Sequence, residues 1–150
     1  MTNIPPPLSA SASPLRGAQL SFVGVGVMAE AMIAGLLRRQ LVTRAQIVGS
    51  HPRPARRDEL QNQYGIRMVE SNAEAARPAD PAAPSVVVVA VKPQRVGRVL
   101  QEVGETLAPE QLLLSVVAGT RIETIAAAGH LPQVEQPTAT AAKVLQFLKG

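Results

Sequence analysis

Short apolar segments alternate with longer amphipathic segments along most of this chain. The most continuous apolar segment, Ser85–Val91, is rich in β-branched valine and is typical of a strand buried on both faces of a parallel sheet. Four further strands are predicted at Leu20–Val25, Gln46–Ser50, Ile66–Val69 and Leu112–Val117. Helical segments are predicted after the first strand, at Arg56–Tyr64, at Asn72–Arg77, through Val96, Leu100 and Val103, and at Arg121–Ala128. This alternation indicates an α/β fold built from right-handed βαβ units.

The first predicted strand runs directly into a G-x-G-x-x-A turn that opens an alanine-rich helix. Gly24 permits the tight turn, Gly26 lets the backbone approach a phosphate, and the small Ala29 lets the helix pack close to the strand. The backbone N–H groups around Gly26, Val27 and Met28 lack intrahelical partners and favour an anion. The turn therefore predicts a dinucleotide pyrophosphate site in a Rossmann-type doubly wound, mainly parallel sheet with helices on both faces. An ordinary tight turn between a strand and a helix is the alternative.

Ligands of doubly wound sheets bind at the carboxyl ends of the strands. Gly24, Ser50, Ala90–Pro93 and Ala118–Gly119 are therefore predicted to border one crevice. His51 is interpreted as a loop residue rather than a catalyst, with stacking near the adenine as the alternative.

The residues after the second strand distinguish between the two nicotinamide dinucleotides. NAD-binding versions of this fold carry an acidic residue there that binds the ribose 2′-hydroxyl, but no acidic residue occurs between Ala31 and Arg57. The strand ends in Ser50 and is followed by Arg53, Arg56 and Arg57, whose hydroxyl and guanidinium groups suit a 2′-phosphate. NADP(H) is therefore preferred over NAD(H), with Arg53 the leading ligand because it lies nearest the strand end. For Arg56 and Arg57, a solvated helix face is the alternative.

Composition narrows the function classes. Hydrophobic residues make up 46% of the 150 residues but aromatic residues only 2%, so the predicted core is aliphatic. Cysteine is absent and no metal-ligand spacing occurs, so neither a disulfide framework nor a metal site is expected. The net charge is +4, but scattered arginines and few aromatic residues argue against a nucleic-acid partner. The lack of cysteine gives no sign of an oxidising compartment, so we expect a cytoplasmic protein. No apolar run approaches the roughly 18 residues that span a membrane, so no membrane partner is expected.

A dinucleotide-binding domain is predicted at residues 19–131. Residues 1–18, rich in proline, serine and alanine, are interpreted as a disordered tail. Residues 132–150 are interpreted as a divergent tail with a short amphipathic helix marked by Val144, Leu145 and Leu148.

Several motifs together resemble one known family. The most specific parts of the match are the glycine turn, which continues as Met28-Ala-Glu-Ala31, and the run Ala90-Val-Lys-Pro-Gln94. The other matching positions are Ser50, Tyr64-Gly65, Ser71-Asn-Ala-Glu74 and Ser115-Val-Val-Ala-Gly119. In order and spacing, from about residue 19 to about residue 131, the chain resembles the amino-terminal half of pyrroline-5-carboxylate reductase. The resemblance implies hydride transfer from NADPH, or less often NADH, to the C=N bond of 1-pyrroline-5-carboxylate, a cyclic imino acid, in the last step of proline biosynthesis.

The resemblance also implies roles for individual residues. The glycine turn would hold pyrophosphate, Ser50 and its neighbours the 2′-phosphate, and Asn72 the nucleoside, with helix N-capping as another role for Asn72. Lys92 is a candidate for positive potential near an acidic substrate, with a solvated lysine as the alternative. No other catalytic residue is assigned, as expected if positioning supplies the catalysis. The residues that would lie along the nicotinamide are Ala90, Val91, Lys92, Pro93, Val116, Val117 and Ala118.

The chain departs from the family pattern in three places. Arg53 stands three residues after Ser50 between two prolines, so its match is approximate, and Asp80–Ser85 resembles a small loop insertion. After Pro132 the helical domain that makes the family homo-oligomeric and completes its substrate pocket has no counterpart, so we expect a truncated or divergent chain. The alternative function is an NADP(H)-binding module without turnover, or a related NADP-dependent dehydrogenase acting on another small acid.

Overall fold

The computed structural model describes residues 13–119, which form a five-stranded parallel sheet with helices on both faces. The strands are β1 (Gln19–Val23), β2 (Ile47–Ser50), β3 (Arg67–Val69), β4 (Ser85–Val89) and β5 (Leu112–Ser115). They lie in the order β3-β2-β1-β4-β5. The first strand is therefore the central one, β2 and β3 lie on one side of it, and β4 and β5 lie on the other. This order and the parallel pairing confirm the predicted doubly wound fold.

The centre of the sheet is formed by β1 and β4. Leu20 of β1 pairs with Ile47 of β2 on one side and with Val86 of β4 on the other. All five residues of β4 are buried, as expected for a strand with neighbours on both sides and helices on both faces.

Four α-helices among the described residues connect the strands: α1 (Val27–Arg38), α2 (Pro54–Tyr64), α3 (Asn72–Ala76) and α4 (Val96–Gly104). Ile33 of α1 and Leu60 of α2 share a buried cluster with Phe22 on one face of the sheet. Leu100 of α4 shares a second cluster with Val87 on the opposite face, where α3 also packs. None of the helices within residues 13–119 is both long and apolar enough to cross a membrane.

Local sequence signals account for the ends of α2 and α3. Helix α2 begins at Pro54, because proline suits the first helical position, and it ends at Tyr64, because the next residue, Gly65, has a left-handed φ of +67°. Helix α3 is capped by Ser71, whose hydroxyl accepts the Glu74 backbone N–H at 3.2 Å. The prediction that Asn72 caps this helix is therefore wrong, since Asn72 is its first residue.

The first and fourth strands end earlier than predicted, at Val23 and Val89. The chain turns away from the sheet at Gly24, so β4 has no β1 neighbour beyond Ala90, whose N–H group donates to the Val23 carbonyl at 3.0 Å. Other bounds also differ from the prediction: β2 begins at Ile47, β3 at Arg67 and α2 at Pro54, while β5 ends at Ser115 and α3 at Ala76.

Residues 13–18, predicted as part of a tail, pack onto the domain instead. Ser13 is buried and its hydroxyl donates to the Leu41 carbonyl at 2.6 Å. Gln46 Nε2 donates to the carbonyl oxygens of Leu15 and Ala18, each at 2.8 Å. Residues 1–12, the predicted helix at Arg121–Ala128 and the predicted tail at 132–150 lie outside the described residues.

The carboxyl ends of all five strands lie at one edge of the sheet, because every pairing is parallel. Residues just beyond the strand ends remain hydrogen-bonded to neighbouring strands. The N–H group of Val25 donates to the Ser50 carbonyl at 2.9 Å, and that of Val116 donates to the Val89 carbonyl at 3.1 Å. These bonds hold the loops that would border a ligand against the sheet.

Candidate dinucleotide-binding site

The turn between β1 and α1 has the conformation that its small residues predict. Gly24 has a φ of +84°, in the left-handed region that favours glycine, and a Cβ on it would lie 2.4 Å from Val91 Cγ1. A Cβ on Gly26 would meet nothing within 4 Å. Ala29 is fully buried in the core cluster between α1 and the sheet. The turn is therefore closed at Gly24 and opens onto free space at Gly26.

Two backbone N–H groups in the first turn of α1 are available to a ligand. Those of Val27 and Met28 have no acceptor within residues 13–119, and both residues are exposed, whereas Ala29, whose N–H group also has no acceptor there, is fully buried. The N–H group of Gly26 also has no partner within α1, as predicted, but it donates to the Gly24 carbonyl at 2.9 Å and is therefore already used in the turn. An anion here would meet two donors and the positive end of the helix dipole.

Ser50 lies at the end of β2 and is fully buried. Its hydroxyl accepts the Gly24 N–H at 3.0 Å and donates to Asn72 Oδ1 at 2.7 Å. The side chain expected to contact a 2′-phosphate thus joins the glycine turn to α3 from within the protein. Direct contact between this hydroxyl and a phosphate stays a prediction.

The Asn72 amide is engaged at both ends. Its Oδ1 accepts from Ser50, and its Nδ2 donates to Glu102 Oε2 on α4 at 2.8 Å. The other carboxylate oxygen of Glu102 accepts from Arg98 Nε at 2.9 Å. The hydrogen bond from Asn72, assisted by Arg98, holds the pKa of Glu102 below its ordinary value, so this carboxylate stays ionised near neutral pH.

The three arginines that follow β2 differ in their contacts. Arg56 contacts Glu30 on α1, and Arg57 Nη1 donates to the His51 carbonyl at 2.8 Å. Arg53 is exposed and has no ion pair or side-chain hydrogen bond within the described part of the chain. Of the three predicted candidates, Arg53 is therefore the guanidinium whose hydrogen-bonding groups are not already used by the protein.

His51 follows β2 directly and is partly buried. Its Nδ1 accepts the backbone N–H of Arg53 at 3.1 Å, which requires that this nitrogen carry no proton. Burial and the charge of Arg53 lower the pKa of the imidazole below its ordinary value, so His51 is neutral at pH 7. These contacts support its interpretation as a loop residue.

The loops after β4 and β5 are the predicted nicotinamide stretches. Val91 contacts the turn at Gly24, while Lys92 and Pro93 are exposed, and Pro93 begins a short 3₁₀ helix. Lys92 has no ion pair within residues 13–119. Ala90, Val116 and Val117 are half-buried and Ala118 is exposed. The first stretch therefore borders the glycine turn, as the sequence predicted, and contact of either stretch with nicotinamide stays a prediction.

Two side-chain clusters beside the turn were missed by sequence reasoning. Glu30 of α1 accepts the Tyr64 hydroxyl at 2.8 Å and contacts Arg56, so it ties α1 to α2. Glu102 completes the series of hydrogen bonds that begins at Gly24. Glu30 and Tyr64 belong to the motifs that carried the family resemblance, which was the only signal for them, and Glu102 had none.

Comparisons with known proteins agree with this geometry. Residues 19–119 match the family described as NADP oxidoreductase coenzyme F420-dependent. A pyrroline-5-carboxylate reductase of Pseudomonas aeruginosa is 44% identical over 101 residues, covering 67% of this chain and 35% of that protein. The pyrroline-5-carboxylate reductase of Escherichia coli is 34% identical over 113 residues, covering 75% and 40%. The chain thus spans well under half the length of these curated relatives.

Solved structures show the same fold. The crystal structure of Plasmodium falciparum pyrroline carboxylate reductase with NADP bound matches with a TM-score of 0.60 and 26% identity, covering 75% of this chain and 38% of that chain. A pyrroline-5-carboxylate reductase from Coxiella burnetii matches with a TM-score of 0.67 at 23% identity, covering 76% and 40%. The resemblance to pyrroline-5-carboxylate reductases is confirmed, and the chain belongs to the family described as NADP oxidoreductase coenzyme F420-dependent.

Proposed function

We propose that this chain binds NADP(H) at the carboxyl edge of the sheet and serves as the cofactor-binding part of a pyrroline-5-carboxylate reductase. The observation that carries the proposal is the pair of exposed N–H groups at Val27 and Met28, which have no acceptor within the described residues and lie next to open space at Gly26. Donors, helix dipole and a missing Cβ together fit a pyrophosphate. The family description and the NADP-bound relative support the same cofactor.

The ribose 2′-phosphate is assigned to Arg53. It is exposed three residues after the end of β2, its side chain has no partner within the described residues, and no acidic residue occurs from Ser50 to Arg57 to repel a phosphate. A guanidinium can donate two parallel hydrogen bonds to phosphate oxygens. Ser50, as the buried support of the turn, and Asn72, at the start of α3, complete the nucleoside side of the proposed site. NADPH is therefore preferred over NADH.

The nicotinamide end is assigned to the loops after β4 and β5. Proline at position 93 restricts the backbone there, so that the backbone groups of Val91 and Lys92 can orient a carboxamide, while the Ala90 N–H group is held by the Val23 carbonyl. Lys92 would add positive potential beside an acidic substrate. The second nicotinamide stretch is Val116, Val117 and Ala118.

The proposed reaction is reduction of the C=N bond of 1-pyrroline-5-carboxylate to give proline. When bound, NADPH supplies the hydride. The residues of this chain hold and orient the cofactor and exclude water from part of the site. The name shared by the curated relatives supports this substrate, a small cyclic imino acid.

Calorimetry with NADPH and NADH tests cofactor binding. The wild-type chain is expected to bind NADPH more tightly than NADH. Gly26→Ala should weaken NADPH binding by about tenfold or more, because the added methyl group occupies the space next to the N–H groups of Val27 and Met28. Gly35→Ala is the matched control, since its Cβ also meets nothing within 4 Å but lies in the middle of α1. A wild-type chain that binds no NADPH contradicts the proposal.

An assay of proline formation tests the reaction. Loss of NADPH absorbance together with appearance of proline supports the reductase. Tight NADPH binding without turnover of the cyclic imine supports a binding module instead, and oxidation of NADPH by a different small acid supports a related dehydrogenase.

A further inference from the structure

A polar series of three side chains runs from the glycine turn to α4. It passes from the Gly24 N–H group to Ser50, then to Asn72, and ends on the carboxylate of Glu102. We propose that Glu102 is a positioning residue for the dinucleotide site, acting through Asn72, an inference that rests on the proposed NADP(H) binding. Glu102 itself lies on α4, outside the turn and the strand-end loops assigned to the cofactor.

The two ends of the Asn72 amide have opposite hydrogen-bonding character. A carboxylate only accepts, so Glu102 requires that Nδ2 point toward α4, and this places Oδ1 against Ser50. In the reversed orientation Oδ1 would face the carboxylate, and the Ser50 hydroxyl would lose the acceptor for its hydrogen. Glu102 therefore selects one orientation of the amide.

The amide orientation matters because only part of its capacity is used inside the protein. An asparagine side chain can donate two hydrogen bonds and accept two. Asn72 uses one donor and one acceptor internally, at 2.8 and 2.7 Å, so one of each remains for a ligand. Because Glu102 fixes the orientation of the amide, it determines where the remaining donor and the remaining acceptor of Asn72 lie relative to a ligand.

The same orientation reaches the glycine turn through Ser50. With its hydrogen directed at Asn72, the buried Ser50 oxygen presents a lone pair to the Gly24 N–H group. Gly24 has a left-handed φ that places the following donors at the start of α1. Loss of Glu102 would leave both the Asn72 amide and the Ser50 hydroxyl, which supports the turn at Gly24, less strictly oriented.

The ion pair of Glu102 with Arg98 cannot by itself explain such an effect. The Arg98 side chain is 86% exposed and that of Glu102 is 36% exposed, and the residues are four positions apart on one helix. Solvent screens pairs of this kind, and they contribute little to stability. Removing Arg98 therefore separates the ion pair from the hydrogen bond to Asn72.

The test is a set of dissociation constants for NADPH and NADH, measured by calorimetry on the full chain. Glu102→Ala is expected to weaken binding of both cofactors by roughly tenfold, since a hydrogen bond to a charged group is lost. Arg98→Ala and Glu105→Ala should change either constant by less than about twofold. Glu105 is an exposed residue at the end of α4, so its removal controls for loss of one negative charge. Alanine favours helix, and thermal unfolding should show that all three variants fold.

A double-mutant cycle with Asn72→Ala shows whether Glu102 acts through Asn72. In the Asn72→Ala background, Glu102→Ala should change the dissociation constant by less than about twofold. Equal losses from Glu102→Ala and Arg98→Ala, or losses that add in the cycle, would overturn the inference. Wild-type chain that binds neither cofactor would overturn the proposed function, whereas wild-type binding that Glu102→Ala leaves intact would overturn only the role of Glu102.

Discussion

Glu30 and Arg56 form an ion pair between α1 and α2, directly beside the turn that begins α1. Arg56 also pairs with Glu59 at 2.7 Å, and Glu30 accepts the Tyr64 hydroxyl. The hydrogen bond to Glu59, together with the contact with Glu30, raises the pKa of Arg56, and the carboxylate of Glu30 raises the pKa of Tyr64. Arg56 therefore serves the packing of α1 against α2, and its charge is balanced without a ligand.

This pairing leads to a prediction about cofactor choice. Arg53→Gln should weaken NADPH binding by about tenfold and leave NADH binding nearly unchanged, because only NADPH carries the 2′-phosphate. Arg56→Gln should leave the ratio of the two affinities unchanged and cost about 1 kcal/mol of unfolding free energy, since its pair is only partly buried. Calorimetry and urea unfolding measure the two effects. A larger change in the ratio for Arg56→Gln than for Arg53→Gln would reverse the assignment.

A second prediction concerns the backbone of the turn. Gly24→Ala should lower the unfolding free energy by more than about 1 kcal/mol, because the residue is left-handed and its methyl group would overlap Val91. The same change at Gly35, in the interior of α1 with open space around it, should raise stability by up to about 1 kcal/mol. Urea denaturation of both variants checks the opposite signs. Equal effects at both positions would show that the left-handed turn is not required.

A third prediction concerns pH. Burial and Arg53 lower the pKa of His51 below 6.5, so the unfolded chain binds a proton at a higher pH than the folded chain does. The contribution of His51 to stability is then present above about pH 6.5 and is lost as the pH falls through the folded value. His51→Gln should show a weaker loss of stability in that window.

Titration of the His51 ring by NMR gives a direct check. Arg53→Gln should raise the pKa of His51 toward 6.5 without reaching it, because burial remains. A pKa that stays the same in Arg53→Gln would show that the arginine charge does not act on the imidazole.

The sequence predicted the parts of the site that depend on backbone conformation. The turn requires small side chains at three positions, and the sequence shows them directly as Gly24, Gly26 and Ala29. The order of the apolar segments was enough to predict that this turn lies at the edge of a parallel sheet. Strand ends were less predictable, because Val25 and Val91 have the composition of strand residues. The turn at Gly24 ends the pairing of β1 with β4, so neither residue belongs to a strand, and that is a property of the neighbouring backbone.

Side-chain partners could not be predicted, because they depend on which helices face each other. Glu59 stands three residues after Arg56 in α2, a spacing that the sequence shows, but the second acidic partner of Arg56, Glu30, is supplied only by the packing of α1 against α2. Ser50 likewise ends a strand in the manner of a ligand-binding residue, but α3 covers its hydroxyl and supplies the Asn72 acceptor. Glu102 lies 30 residues after Asn72, with no pattern to connect them.

The backbone amide hydrogens that follow β1, the central strand, should exchange with solvent at very different rates. The amide hydrogens of Gly24 and Val25 are hydrogen-bonded to Ser50, directly after β1, which pairs with a strand on each side. Deuterium should therefore replace them only when the whole domain unfolds. Those of Val27 and Met28 lie at the helix start without acceptors in the described chain and should exchange quickly in the free protein. A single hydrogen–deuterium exchange experiment with mass spectrometry can thus measure two quantities on one short segment. Slow exchange at Gly24 and Val25 reports the stability of the domain, and slower exchange at Val27 and Met28 reports that a ligand is bound.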